Sequence, residues 1–272
     1  MQAANRLQKA LKRGASAFGA WQMLPGTNLT RTMLRSAANI DWLLIDMEHG
    51  NISDDMMHEI VAAAAGYGVS PVVRVIEGQA WMIKRALDAG AHGILVPVLE
   101  TEEDAKNVVR YSKYPPEGNR GFEPLLAVDK FAELHPHGGS VKQIGTIDYL
   151  QQANGSLVTA VMIETKSALE RVKEIAAVPG IDVLFIGPFD LGVNIGHPIL
   201  DPSKPEQELI NAIQSIQAAA HAAGKASGIY CDTGEQAREY AHKGFHMIST
   251  VTDMIALRKA FSQAFNAAGE HQ

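Results

Sequence analysis

The chain has 272 residues, a hydrophobic fraction of 46% and a formal net charge of −6. That apolar content suffices for a large core and excludes a mostly disordered chain, while the acidic balance argues against nucleic acid or an anionic membrane surface as partner. One cysteine, Cys231, excludes an intramolecular disulfide framework and any cysteine-rich metal knuckle, and it fits a cytoplasmic location.

The opening stretch, MQAANRLQKALKRG, reads as a short basic amphipathic helix, a solvated cap rather than a transit peptide. It lacks the apolar stretch of a signal peptide, and no later run reaches the ~18 apolar residues of a membrane span. Short apolar runs then recur at Ala17–Trp21, Trp42–Asp46, Pro71–Val75, Gly93–Pro97, Leu157–Ile163, Val183–Gly187, Ala226–Tyr230 and His246–Thr250. They are near-continuous rather than alternating, as parallel strands buried on both faces require. Helical patterns lie between them at Asp54–Ala65, Ala80–Ala89, Glu102–Ser112, Ser167–Ala177, Glu206–Ala223 and Glu235–His242. Ser53 and the acids after Thr101 are start signals, and Gly90, Gly180, Gly224 and Gly244 fall where helices should stop.

Eight strand–helix units in series predict an α/β fold, a (β/α)8 TIM barrel forming a single domain over residues 1–272 with an N-terminal helix. An open doubly wound sheet is the structural rival, but no G-x-G-x-x-G follows the first strand. From Tyr114 to Ser140 the rhythm breaks into a proline- and glycine-rich stretch, which reads as a lid or entrance segment on the catalytic rim.

In such barrels the catalytic groups stand at the C-terminal strand ends. Glu48 and His49, Arg74, Pro97, Glu164 and the run Gly187, Pro188, Phe189, Asp190 occupy five of those ends. Ionisable groups directly after apolar runs are costly to bury unless they pair or hold an ion. Glu164 and Asp190 end adjacent strands, ~4.8 Å apart by strand spacing, and can share one cation. Two carboxylates suit a hard divalent ion, Mg²⁺ or Mn²⁺, with Co²⁺ or Zn²⁺ as substitutes. The plainer alternative is that Arg74 neutralises one of them. Arg74 could otherwise donate two parallel hydrogen bonds to a substrate carboxylate or carbonyl oxygen. Gly187, Pro188 and Phe189 would bring backbone amides close to a small anion. His49 can exchange protons near neutral pH, with Asp46 and Asp88 as candidate orienting carboxylates. His135 and His137 fall in the long loop, where exposure to solvent is the better reading than substrate contact. His221, His242 and His271 fall on helix surfaces or the tail.

The segments DWLLIDMEHG (41–50), PVVRV (71–75), LDAGAHGILVPVLETEEDA (87–105), RYSKYPPEGNRG (110–121), VMIETKSAL (161–169) and IDVLFIGPFDLG (181–192) carry a resemblance. In that order and spacing, from residue 17 to about 255, the chain resembles the HpcH/HpaI aldolase family. The EHG, YPPxGxRG, IET and IGPxDL elements are specific when taken together. The resemblance implies a barrel of the phosphoenolpyruvate/pyruvate type, a homo-oligomer (hexamer or trimer), and metal-dependent cleavage or formation of 4-hydroxy-2-oxo acids through a pyruvate enolate, with an aldehyde as second partner. It implies Glu164 and Asp190 as metal ligands, Arg74 as the pyruvate-contacting arginine and His49 as the acid/base, with Asp46 and Asp88 matching acids near that histidine. Met162 stands where the family often has Gln, and the stretch FEPLLAVDKF after Gly121 also departs from the bacterial aldolases. Both departures bear on the second substrate. Oxaloacetate decarboxylation of the macrophomate synthase kind is one alternative, and a barrel that binds oxo acids without turnover is another.

Overall fold

The structure, a computed structural model, describes residues 1–132, 144–202 and 204–269. Its strands are β1 (Ala17–Gln22), β2 (Trp42–Asp46), β3 (Ser70–Arg74), β4 (Gly93–Val96), β5 (Val158–Ile163), β6 (Val183–Ile186), β7 (Ala226–Ile229) and β8 (Met247–Thr252). Each pairs in parallel with the next, and β8 closes on β1 from Ala17↔Met247 to Trp21↔Thr252, with a register shift at Gly19/Ala20. The (β/α)8 barrel expected from the alternating runs is the fold.

Both faces of each strand are apolar for different reasons. Leu43, Ile45, Val73, Val161 and Ile163 point outward and pack under the helices, whereas Trp42, Leu44, Val72, Met162 and Phe185 fill the interior. Trp42 and Phe185 meet edge-on at 6.5 Å between ring centroids. They fit because glycines face them: a Cβ on Gly19 would lie 2.2 Å from Trp42, and one on Gly228 would lie 2.4 Å from Phe185. The two-residue period then carries the inward face one step on, to Asp46 after Leu44, Arg74 after Val72 and Glu164 after Met162. The ionisable side chains Asp46, Arg74 and Glu164 therefore gather at the C-terminal end of the barrel interior.

Thr101 and Asp104 form the expected capping box, and Gly90, Gly180, Gly224 and Gly244 all take positive φ. The pattern at 167–177 is two helices, Lys166–Glu170 and Val172–Ala177, which meet at Arg171. The opening helix, Arg6–Lys12, is more than a solvated cap. Leu7 is fully buried in the interior cluster, and Asn5 Nδ2 donates to the carbonyls of His92 and Ser156, both at 2.9 Å. It plugs the N-terminal end of the barrel.

The described part of the long Pro/Gly-rich segment, residues 114–132, does not lie on the catalytic rim; residues 133–140 of it lie outside the described residues. The helix Glu102–Ser112 runs back from that rim, so the chain after it emerges at the opposite end. There Lys113 Nζ donates to the carbonyls of Asn154 at 2.9 Å and Leu157 at 3.3 Å, and His92 Nε2 lies 2.7 Å from the Lys130 carbonyl. Residues up to 132 form part of the barrel floor; the loop's length suggested a functional rim, but strand polarity decides its side. His135, His137 and His271 lie outside the described residues.

The final helix, Asp253–Gly269, is exposed along most of its length, with Phe261 62% and Phe265 72% accessible. Among the described residues no helix is long and apolar enough to cross a membrane.

Candidate active site

A cavity of about 280 Å³ opens at the C-terminal strand ends, with Trp21, Asp46, Arg74, Met162, Tyr230 and Thr252 in its walls and His49 and Asp232 at its margin. Gly187, Pro188, Phe189 and Asp190 form a further wall. Most of the residues singled out from the sequence thus converge. Glu164 joins them from below, for a Cβ on Gly187 would lie 2.6 Å from Glu164 Oε2. A larger cavity of about 740 Å³, between the helices Gln207–Ala222 and Gly234–His242, shares Pro188, Phe189, Tyr230 and Asp232 but holds no comparable convergence of carboxylates.

Arg74 anchors the site. Its Nε and Nη2 donate to Asp46 Oδ1 and Oδ2 at 2.9 and 2.6 Å, and its guanidinium lies 4.9 Å from the centroid of the Trp21 ring. Asp46 also accepts from Trp21 Nε1 at 3.0 Å and from the backbone N–H groups of Glu48 and His49 at 3.1 Å. Burial alone would raise the Asp46 carboxyl, but the Arg74 bonds and charge, with Trp21 and His49, hold it below the usual carboxylate range. Two sequence expectations change here. Asp46 meets His49 only through its backbone, so it orients Arg74 rather than the imidazole. The Arg74 fork is occupied by Asp46, which leaves Nη1 for other partners.

Asp88 does not orient His49 within the chain either. It ends the helix Ala80–Asp88, which runs away from the catalytic rim, and pairs with Arg120 at 2.8 Å. The carboxylate near the imidazole is Glu48, with Oε2 at 3.9 Å from His49 Nε2 and 3.0 Å from Arg74 Nη1. The His49 side chain itself is 58% accessible.

The remaining carboxylates crowd one another. Glu164 is buried and accepts the Val98 N–H at 2.8 Å. Burial, with the charges of Asp190 and Glu48 acting in the same direction, pushes its carboxyl up to about 7 despite Val98 and Arg74. Burial also raises Glu48, helped by Asp46 and Asp190 and opposed by Arg74 and His49. Val98 takes φ 54°, a strained conformation for a β-branched residue, where its amide meets Glu164.

These residues fit a hard divalent cation. Glu164, Asp190 and Glu48 offer only oxygen donors, and Glu48 Oε2 is buried without a hydrogen bond although Arg74 is near. Gly187 leaves the space beside Glu164 Oε2 open. Asp190 sits in the first turn of the helix Pro188–Ile195. Pro188 has no N–H, so the free first-turn amides are those of Phe189 and Asp190. Elsewhere, among the described residues, His197, Glu206 and Glu208 cluster at the surface, where His197 Nδ1 and Glu206 Oε2 form an ion pair at 2.7 Å.

A closed (β/α)8 barrel with carboxylates and one arginine on its C-terminal rim defines an enzyme barrel, and its relatives make it a lyase of the aldolase kind. The chain belongs to the HpcH/HpaI aldolase/citrate lyase family, whose profile matches residues 21–260. It is 37% identical over 265 residues to a hydroxypyruvate/pyruvate aldolase of Paraburkholderia phytofirmans, covering 96% of each chain. It is 33% identical to a 2-keto-3-deoxy-L-rhamnonate aldolase of Escherichia coli, covering 95% of this chain and 91% of that one. Among solved structures, an HpcH/HpaI family protein of Burkholderia cenocepacia superposes with a TM-score of 0.81 at 31% identity, covering 97% of this chain and 99% of the other. Macrophomate synthase shares the fold, with a TM-score of 0.80 at 24% identity over 98% of this chain and 91% of its own.

Proposed function

We propose that the protein is a divalent-cation-dependent aldolase that cleaves or forms 4-hydroxy-2-oxo acids, with pyruvate and an aldehyde as the partners. The observation that carries this reading is the meeting of Glu164, Asp190 and Glu48 with Arg74 beside a cavity of about 280 Å³. Glu164 and Asp190 would hold the cation, and its oxygen-only donor set favours Mg²⁺ or Mn²⁺ over Co²⁺ or Zn²⁺. When bound, such an ion supplies Lewis-acid polarisation of an oxo-acid oxygen. Arg74, held by Asp46 and with Nη1 shared with Glu48, would turn Nη1 to the oxo acid. His49 takes the proton of the C4 hydroxyl as the C3–C4 bond breaks, with Glu48 beside it. The exposed apolar face of the last helix supports a homo-oligomer, trimeric or hexameric, and the single buried cysteine suits a cytoplasmic setting.

One observation favours a second reading. His49 is mostly accessible and, among the described residues, no carboxylate holds its ring at hydrogen-bond distance, whereas oxaloacetate decarboxylation needs no hydroxyl proton removed. Retention of Glu164, Asp190, Arg74 and His49 around one site speaks against a barrel that binds oxo acids without turnover. The test is pyruvate release from 4-hydroxy-2-oxo acids and from oxaloacetate, before and after chelation. Loss in chelator with recovery on adding Mg²⁺ or Mn²⁺ is the expected result; full turnover by thoroughly dialysed protein in excess chelator overturns the reading.

A further inference from the structure

The half of the cavity away from Glu164 is built from the ends of β7 and β8. Tyr230, Asp232 and Thr252 line it, and the Tyr230 hydroxyl lies 2.7 Å from Thr252 Oγ1. Asp232 Oδ1 is buried and makes no hydrogen bond, although the Tyr230 hydroxyl is near enough for the Asp232 carboxylate to raise it, and the Asp232 backbone N–H donates to Gln236 Oε1 at 3.1 Å. An acceptor left in this state is costly unless a ligand supplies the donor.

Charge decides what that ligand can be. Arg74 is the cation lining this cavity, and Asp46 already neutralises it through two hydrogen bonds. Glu48, Glu164, Asp190 and Asp232 remain, and a divalent ion offsets two of those charges. Asp232 also faces the adjoining cavity of about 740 Å³, which offers room for a longer chain. Polar groups there include Gln214 and Gln236, and its lining cation Lys243 is paired with Glu239 at 2.6 Å. Among the described residues that line this side, no cation is left unpaired to bind a carboxylate.

Resting on the aldolase reading above, we propose that Asp232 is a specificity-determining residue of the aldehyde subsite, selecting neutral hydroxylated aldehydes and rejecting those that carry a carboxylate. Its free oxygen accepts a hydrogen bond from an aldehyde hydroxyl, and its charge repels an anionic substituent.

Glycolaldehyde and glyoxylate form a matched pair, equal in carbon number and differing in hydroxymethyl against carboxylate. The experiment measures kcat/KM for the addition of pyruvate to each, using the metal-loaded full chain. Wild type should prefer glycolaldehyde, Asp232→Asn should reduce that preference by about tenfold or more, and Asp232→Glu should keep it. An unchanged preference in a folded Asp232→Asn overturns the assignment. Should that variant fail to fold, the wild-type preference must narrow as salt is raised, and a salt-independent preference overturns the assignment. Exchange of the pyruvate methyl protons with deuterated solvent, followed by NMR on wild type, separates the two levels. Exchange without charge-dependent aldehyde choice sinks the role of Asp232 alone, whereas no exchange sinks the oxo-acid reading beneath it.

Discussion

Replacing Glu164 by Gln should stabilise the metal-free protein, mainly above neutral pH. Glu164 is 4% accessible, and burial with the nearby Asp190 and Glu48 charges pushes its carboxyl from 4.5 up to about 7. A carboxyl raised in the folded state supports folding below its unfolded value, and that support is lost as pH climbs through about 7. Relative to a neutral side chain, the ionised group costs about 3 kcal/mol at pH 8 and about 1 kcal/mol at pH 5. Gln escapes this cost, and its amide oxygen can still accept the Val98 N–H that Glu164 accepts at 2.8 Å. With roughly 2–4 °C of melting temperature per kcal/mol, Glu164→Gln should melt roughly 6–12 °C above wild type at pH 8 in chelator. At pH 5 the gap should shrink to roughly 2–4 °C. Adding Mg²⁺ at pH 8 should narrow or invert the order, because the charged ligand gains binding free energy that the amide cannot match. Scanning calorimetry across this pH range, with and without Mg²⁺, is the assay. A variant that melts below wild type at pH 8 in chelator refutes the reasoning.

Three other substitutions probe the remaining parts. Gly187→Ala places a Cβ 2.6 Å from Glu164 Oε2 and 3.0 Å from Met162 Cε, so Mg²⁺ affinity by calorimetric titration and kcat should both fall, kcat by roughly 10–100-fold; unchanged values would mean that Glu164 is not a ligand. Arg74→Lys keeps the charge but loses the fork on buried Asp46, so urea unfolding should show a loss of about 2 kcal/mol together with a sharp fall in oxo-acid turnover; wild-type behaviour in both would empty Arg74 of its role. His49→Ala should lower aldol cleavage by ~10²–10⁴-fold while sparing oxaloacetate decarboxylation, as paired rate measurements will show. Equal losses in the two reactions would assign His49 to substrate positioning.

The strands were legible because each is buried on both faces. Trp42–Asp46 reads the same in sequence and structure, and most other bounds move by one or two residues. The helix Thr27–Arg35 escaped notice because TNLTRTMLR has only three apolar side chains, Leu29, Met33 and Leu34, against three threonines, which favour helix weakly. The site was legible where an ionisable residue directly follows an apolar run, as at Arg74 and Glu164. It was illegible where a role depends on a distant partner. Asp46 and Asp88 looked alike in sequence, yet one meets Arg74 at the rim and the other Arg120 at the floor. Strand polarity would have assigned Asp88 and the stretch after Tyr114 to the floor. Trp21, Tyr230, Asp232 and Thr252 were missed because the ends of β1, β7 and β8 carry aromatic, hydroxyl or offset acidic groups rather than a charge directly at the strand end.

Closure of β1 on β8 has a consequence during synthesis. Ala17 pairs with Met247, so the open edge of the first strand waits for the last one while the ribosome adds about 230 residues. At roughly 5–20 residues per second, that edge stays uncovered for roughly 10–50 s. An unpaired parallel strand such as AFGAWQ, apolar and uncharged, is a template for other chains throughout that interval. Yield of native protein should therefore be governed by nascent-chain crowding, with slower expression and chaperone supply acting on β1 before the ring can shut.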